Sequence, residues 1–182
     1  MNYLYTIDKT LLEFFSTGIK NDFFDILMPF VSFINNHGEV WIALSIVLMM
    51  SKNTTVRRLG ITTLIALALG AILGDQVLKN IIGRQRPIGS EFNFNFIVDI
   101  PKSYSFPSGH TTSSFAVFGA FLFSKARYKY WVLLLASLIA FSRMYLHVHY
   151  PSDILGGIIL GLICGRIAFS LGKAFFRRRP KI

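Results

Sequence analysis

An all-α bundle embedded in a membrane is the fold this sequence predicts, and three observations predict it. The chain is 53% hydrophobic and only 15% charged, where soluble domains carry about 25% charged residues. Mean hydropathy is +0.52 over 182 residues, and uncharged apolar runs recur from one end to the other. The mass of 20.6 kDa suits one domain over 1–182. Disorder and an ordinary soluble globule are both excluded on this composition. The single cysteine, Cys164, sits in an apolar run, so neither an intramolecular disulfide nor a cysteine zinc cluster is expected.

The elements follow in order. In residues 4–19, Leu4, Ile7, Leu11, Leu12 and Phe15 recur at helical spacing, with Asp8, Lys9, Glu13 and Ser16 among them. This predicts an amphipathic helix lying at the membrane interface, or else the frayed start of the first span. A bilayer core needs about 20 helical residues. The uncharged runs 26–36, 40–51, 60–74, 103–124, 130–142 and 154–165 reach that length mostly by taking in a flanking charge. Six transmembrane helices are expected, over 22–36, 38–52, 57–83, 107–125, 129–148 and 152–175, the first two being short. Gly157, Gly161 and Gly165 repeat every four residues in the last of these, a stripe that favours close helix packing. Met1 to Tyr5 lacks a basic leader, so insertion through internal spans is expected.

Charge sets the expected orientation. Six spans with a cytoplasmic N-terminus put Lys9, Lys20, Lys52, Arg57, Arg58, Lys125, Arg127, Lys129, Lys173, Arg177, Arg178, Arg179 and Lys181 inside. Lys79, Arg84, Arg86, Lys102 and Arg143 then lie outside, and Arg166 falls within the last span. The positive-inside rule therefore predicts both termini in the cytoplasm of a multi-pass cell-membrane protein. It also explains the net charge of +10 and the Arg177–Arg179 run without nucleic acid.

Ionisable residues at membrane depth default to function, and three outer segments carry them. In the first, Lys79 and Arg86 are seven residues apart, two helical turns, so both can reach one face before Pro87 ends the helix. Two cations on one face make an anion site, with headgroup snorkelling as the bland alternative. In the second, Pro107-Ser108-Gly109-His110 opens an apolar run. Pro suits the first helical position, and the backbone N–H groups behind it cradle anions. Ser108 can donate its hydroxyl, Gly109 admits a phosphate to the backbone, and His110 can work as acid or base. In the third, Arg143 precedes His147, His149, Pro151 and Asp153. Pro151 breaks the helix, Ser152 or Asp153 can cap the next one, and Asp153 can hold His149 in one tautomer. Imidazoles, an orienting carboxylate and three cations suit a phosphoryl group: the cations neutralise its oxygens, one imidazole attacks, a second protonates the leaving oxygen.

The pattern K-x6-R-P, then P-S-G-H, then S-R-x5-H-x3-D resembles the type 2 phosphatidic acid phosphatase family. It is carried here by Lys79, Arg86 and Pro87, by Pro107 to His110, and by Ser142, Arg143, His149 and Asp153. The resemblance implies a nucleophilic His149 that forms a phosphohistidine, oriented by Asp153, with His110 as general acid. It implies a phosphate clamp of Lys79, Arg86 and Arg143, helped by Ser108 and the Gly109 amide. It further implies no metal and no cofactor, with inhibition by vanadate.

Lipid-facing helices around an outer site make a lipid phosphate the expected substrate and membrane lipid the expected surroundings. Small bacterial members put undecaprenyl diphosphate first, phosphatidylglycerophosphate or phosphatidic acid next and lipid A third. Asp75 could pair with Lys79, Arg84 could touch a second phosphate, and His147 could be a supporting donor or simply interfacial. Two other classes stay open. A metalloenzyme would use His110, His147, His149 and Asp153 as ligands, and an anion transporter would line its path with the cations.

Overall fold

The computed structural model of the protein describes residues 3–87 and 97–177. Every regular element among them is a helix. The basic residues Arg178, Arg179 and Lys181 of the expected tail lie outside this range.

Helix α1 covers Tyr3–Gly18 and α2 covers Asp22–Phe33, where Asn21 accepts the Phe24 N–H at 3.0 Å and caps the start. Gly38, at φ 82°, turns the chain into α3, Glu39–Met49. Helix α4, Thr54–Gly70, starts at an Asn53 cap. It runs on through a π-wound stretch, Ala71–Leu78, into the single turn α5, Lys79–Ile82. Then come α6, Gly109–Phe123, α7, Lys129–Tyr145, and α8, Pro151–Arg177.

Helix α6 is the hub, buried along most of its length and flanked by α3, α4, α7 and α8. Its closest neighbour is α8, and the glycine stripe is the reason. A Cβ on Gly161 would stand 2.7 Å from the Thr112 carbonyl and 2.8 Å from the Ala116 nitrogen; one on Gly165 would meet the Ala116 carbonyl at 2.7 Å. Backbone lies on backbone there, the geometry through which small residues hold helices together where apolar burial gives little drive. Gly60 does the same for α4 against Ser45 and Met49 of α3. Polar ties add direction: the Trp41 indole donates to Ser114 at 2.9 Å, and the Ser45 and Thr63 hydroxyls are 2.7 Å apart.

Two helices, Thr54–Ile82 and Pro151–Phe176, are long and apolar enough by length and composition to cross a bilayer. The expected first span, 22–36, holds helix α2, which lies across one end of the bundle. Helix α2 is held at both its ends against the same end of the bundle. At its start Asp25 accepts the Tyr145 hydroxyl at 2.6 Å. At its finish Ser32 bonds Arg143, and just beyond it Asn35 donates to the His110 carbonyl at 3.2 Å. Tyr145 and Arg143 end α7, and His110 begins α6, so α2 lies across the bundle end.

Helix α1 lies across the same end. Asp8 reaches Ser152 at the start of α8, the Tyr5 and Tyr150 rings are 6.3 Å apart, and Phe15 meets Phe141 of α7. The expected apolar stripe divides: Leu4, Ile7 and Leu11 face outward and Leu12 is buried. Chain start and candidate site therefore share one end, while α8 carries the chain away to the other. The expected arrangement differs at α1, since it put Lys9 and Lys20 at the end opposite the site. A run such as 22–36 has the composition of a span whichever way it points, so only tertiary contacts decide.

Candidate active site

Three connections at this end of the bundle bring the expected residues together. The first follows α5. The helix ends at Gly83, whose φ of 61° places it in the left-handed conformation that closes helices. Termination four residues before Pro87 corrects the expected helical path from Lys79 to Arg86. The two converge anyway, because the chain turns back and Arg86 is held by backbone carbonyls. Its Nε donates to Ser103 O at 2.8 Å and an Nη to Val148 O at 2.7 Å. Burial brings the Arg86 guanidinium down to about 10, still charged near neutrality.

The second connection leads into α6. The helix begins at Gly109 with Ser108 at its cap, so Pro107 lies just outside rather than at the first helical position. The Ser108 hydroxyl accepts from Thr111 at 3.0 Å, and its N–H donates to the Asp153 carbonyl at 3.2 Å. Ser108 thus ties α6 to α8, behind the cavity wall rather than on it.

The third connection joins α7 to α8. Helix α7 stops at Tyr145, and His147 takes a left-handed φ of 56°, unusual for a residue with a Cβ. Its side chain is buried, which corrects the interfacial expectation. Pro151 then begins α8, its fixed φ suiting a first position. Asp153, two residues on, reaches back to accept the Tyr150 N–H at 2.9 Å, as the acid of a capping box does.

Lys79, Arg86, Gly109, His110, Arg143 and His149 line one cavity of about 720 Å³. His149 is 2% exposed and Asp153 is fully buried behind it. The His149 Nδ1 faces Asp153 Oδ2 at 3.5 Å, and its Nε2 lies 3.2 Å from an Arg86 nitrogen on the cavity side. With the proton on Nδ1, the Nε2 lone pair points into the cavity. His149 sits in the α7–α8 connection, and burial, then the cations of Arg143, Arg86 and Lys79, hold it well below the ordinary histidine range. It is therefore a neutral imidazole at physiological pH, the form in which it is nucleophilic. The His110 Nε2 is buried with no hydrogen-bond partner among the described residues. Lys79 Nζ is 2.5 Å from Asp75, the pairing expected from their spacing. Beyond the cations the cavity wall turns apolar, with Ile42 of α3 and Leu64, Leu67 and Ala68 of α4.

Two partnerships, those of Arg84 and of Asp8, escaped sequence reasoning. Arg84, expected to reach a second phosphate, donates here to Asp153 Oδ1 at 2.8 Å and to Asp8 Oδ2 at 2.7 Å. Asp8, read as a polar residue of an amphipathic helix, is 1% exposed. Nothing local marks it, since its partners stand 76 and 144 residues away.

The constellation is one that can neutralise a phosphoryl group, attack it and protonate what leaves. Comparison with known proteins agrees with that class. Residues 55–177 match the PAP2 superfamily, so the chain belongs to the PAP2 superfamily, a family of membrane phosphatases. It is 33% identical to an undecaprenyl-diphosphatase of Sulfolobus acidocaldarius, over 71% of this chain and 63% of that one. It is 31% identical to a lipid A 4'-phosphatase of Bacteroides thetaiotaomicron, over 88% of this chain and 75% of the relative. The crystal structure of a transmembrane PAP2-type phosphatidylglycerolphosphate phosphatase from Bacillus subtilis superposes with a TM-score of 0.74 at 25% identity, covering all of this chain and 90% of that one.

Proposed function

We propose that residues 1–182 form one integral-membrane domain that hydrolyses a lipid phosphate or diphosphate without a metal, through a phosphohistidine on His149. One observation carries this reading: the His149 Nε2 faces a cavity walled by cations at one end and by apolar side chains at the other. A substrate with a charged phosphate and a long apolar tail fits both halves.

The phosphate sits among Lys79, Arg86, Arg143 and the Gly109 end of α6, where positive charge is fixed before the reaction begins. The His149 Nε2 attacks phosphorus; a P–N bond forms as the bond to the leaving oxygen breaks. His110 delivers a proton to that oxygen. Asp153 meets the charge that develops on the imidazole. Water then attacks the phosphohistidine, giving its proton to His110, and inorganic phosphate leaves. Ser108 serves by fixing the start of α6. The tail runs along Ile42, Leu64, Leu67 and Ala68 toward the lipid between α3 and α4.

Undecaprenyl diphosphate is the first candidate substrate, supported by the undecaprenyl-diphosphatase relative. Phosphatidylglycerophosphate, phosphatidic acid and lipid A follow. The transporter reading wants cations spread through the membrane depth, whereas these gather at one end. A divalent metal among Lys79, Arg86 and Arg143 would be repelled.

The bundle crosses the cell membrane five times, by α3, α4 with its continuation, α6, α7 and α8. Lys52, Arg57, Arg58, Lys125, Arg127, Lys129 and Lys173 fall at the end away from the site. By the positive-inside rule that end is cytoplasmic and the site is external. The experiment is phosphate release from each lipid in detergent with chelator present. Release that survives chelator and stops with vanadate supports the reading; release that needs a divalent metal overturns it.

A further inference from the structure

The Asp153 carboxylate does not face His149 alone. Its Oδ1 takes a 2.8 Å hydrogen bond from Arg84, and Arg84 is shared with a second buried carboxylate, Asp8 Oδ2, at 2.7 Å. Asp8 is fixed from α8 as well: its Oδ1 accepts the Ser152 N–H at 2.9 Å and its Oδ2 the Ser152 hydroxyl at 2.5 Å. The Arg84 guanidinium is also stacked 4.0 Å from the centre of the Tyr150 ring. The buried carboxylates of Asp8 and Asp153 share the partly exposed Arg84 in one charged cluster at the back of the site. Asp8 lies on α1, outside the residues that match the family.

The signs of these charges have a consequence. Arg84 beside Asp153 cancels the negative charge that a phosphorylated His149 needs. With Asp8 present the cluster sums to −1; without it the cluster is neutral. Charges this close and this buried couple strongly, and truncating one member leaves another uncompensated.

We infer that Asp8 is a positioning residue for the reaction: it balances Arg84 so that Asp153 keeps a net negative charge for His149, which makes the N-terminal helix α1 a working part of the active site. This rests on the reading of His149 as the nucleophile. Asp8 touches no cavity wall, so its effect falls on the chemical step and not on substrate binding.

The test is steady-state kinetics of the full-length protein on a lipid phosphate in detergent, with thermal midpoints measured in parallel. Asp8→Asn is expected to lower kcat about ten- to a hundredfold with KM unchanged. Asp8→Glu, which keeps the charge, is expected to retain most of kcat. The double variant Asp8→Asn/Arg84→Gln restores a cluster charge of −1 and is expected to recover kcat above that of Asp8→Asn. Wild-type kcat in a folded Asp8→Asn overturns the inference. So does a double variant slower than Asp8→Asn, or a loss in Asp8→Glu as deep as in Asp8→Asn, since either makes the cluster's role one of shape. Should Asp8→Asn not fold, the comparison of Asp8→Glu and the double variant with wild type decides on the same terms. His149→Ala separates the two levels: activity surviving there refutes the nucleophile, whereas its loss beside an unaffected Asp8→Asn refutes only the role of Asp8.

Discussion

His149 and His110 line the same cavity yet are held differently, and the difference predicts distinct defects. The His149 Nδ1 faces the Asp153 carboxylate at 3.5 Å, whereas no carboxylate pairs with His110 among the described residues; neither that Nδ1 nor the His110 Nε2 has a hydrogen-bond partner there. A general acid contributes about 10²–10⁴-fold, and least where the leaving group needs no proton. His110→Ala is therefore expected to lose that much on an alkyl phosphate and far less on a nitrophenyl phosphate, measured as phosphate release. His149→Ala is expected to be equally dead on both. Acid should also destabilise the fold. The unfolded chain binds a proton at His149 near pH 6.5, while the folded site resists it until well below. As pH falls through 6.5 the unfolded state binds more protons, so stability drops by up to about 1.4 kcal/mol per unit for this group. A thermal midpoint that declines from pH 7 to pH 5, and declines less in His149→Asn, would show it. The gathering of Lys79, Arg86, His110, Arg143 and His149 around one cavity was legible in sequence because the motifs are short and ordered. The jobs of Arg84 and Asp8 were not, because an ion pair across 76 residues leaves no local pattern.

Among the elements, the α6–α8 pair decides whether the site exists at all, since α6 carries His110 and α8 carries Asp153. The glycine stripe that joins them could be read from its four-residue spacing alone. Gly161→Leu has no room against the Thr112 carbonyl and Ala116 nitrogen. Overpacking costs about 1–3 kcal/mol and more where backbone is the obstacle, so a lower thermal midpoint and a parallel loss of activity are expected. A variant as stable as wild type would contradict the close packing. Helix α2 shows the opposite case. Residues 22–36 are apolar enough to pass for a span, and their true course depends on Asp25, Ser32 and Asn35 all finding partners at one end of the bundle. The stop at Gly83 was likewise overlooked because Pro87 is the louder signal, although glycine is the residue that ends helices in the left-handed conformation.

For the whole molecule, placing α1, α2 and the site at one end fixes the relation between the termini. The five crossings we propose would put the start of α1 outside with the site and the end of α8 in the cytoplasm. A cysteine appended to either terminus of a Cys164→Ala protein should label from opposite sides in intact cells; labelling from one side would restore the six-span arrangement. The all-helical fold class and the membrane setting followed from composition, but the course of α1 and α2 across one end of the bundle could not, since charge counts favour a basic cytoplasmic end under either topology. We propose that this molecule hydrolyses a lipid phosphate or diphosphate with a histidine and no metal. The most direct test is inorganic phosphate release from undecaprenyl diphosphate by the purified protein with chelator present, beside His149→Ala of equal thermal midpoint. The account predicts rapid release by the first and none by the second; release that continues in His149→Ala, or that the chelator abolishes, would contradict it.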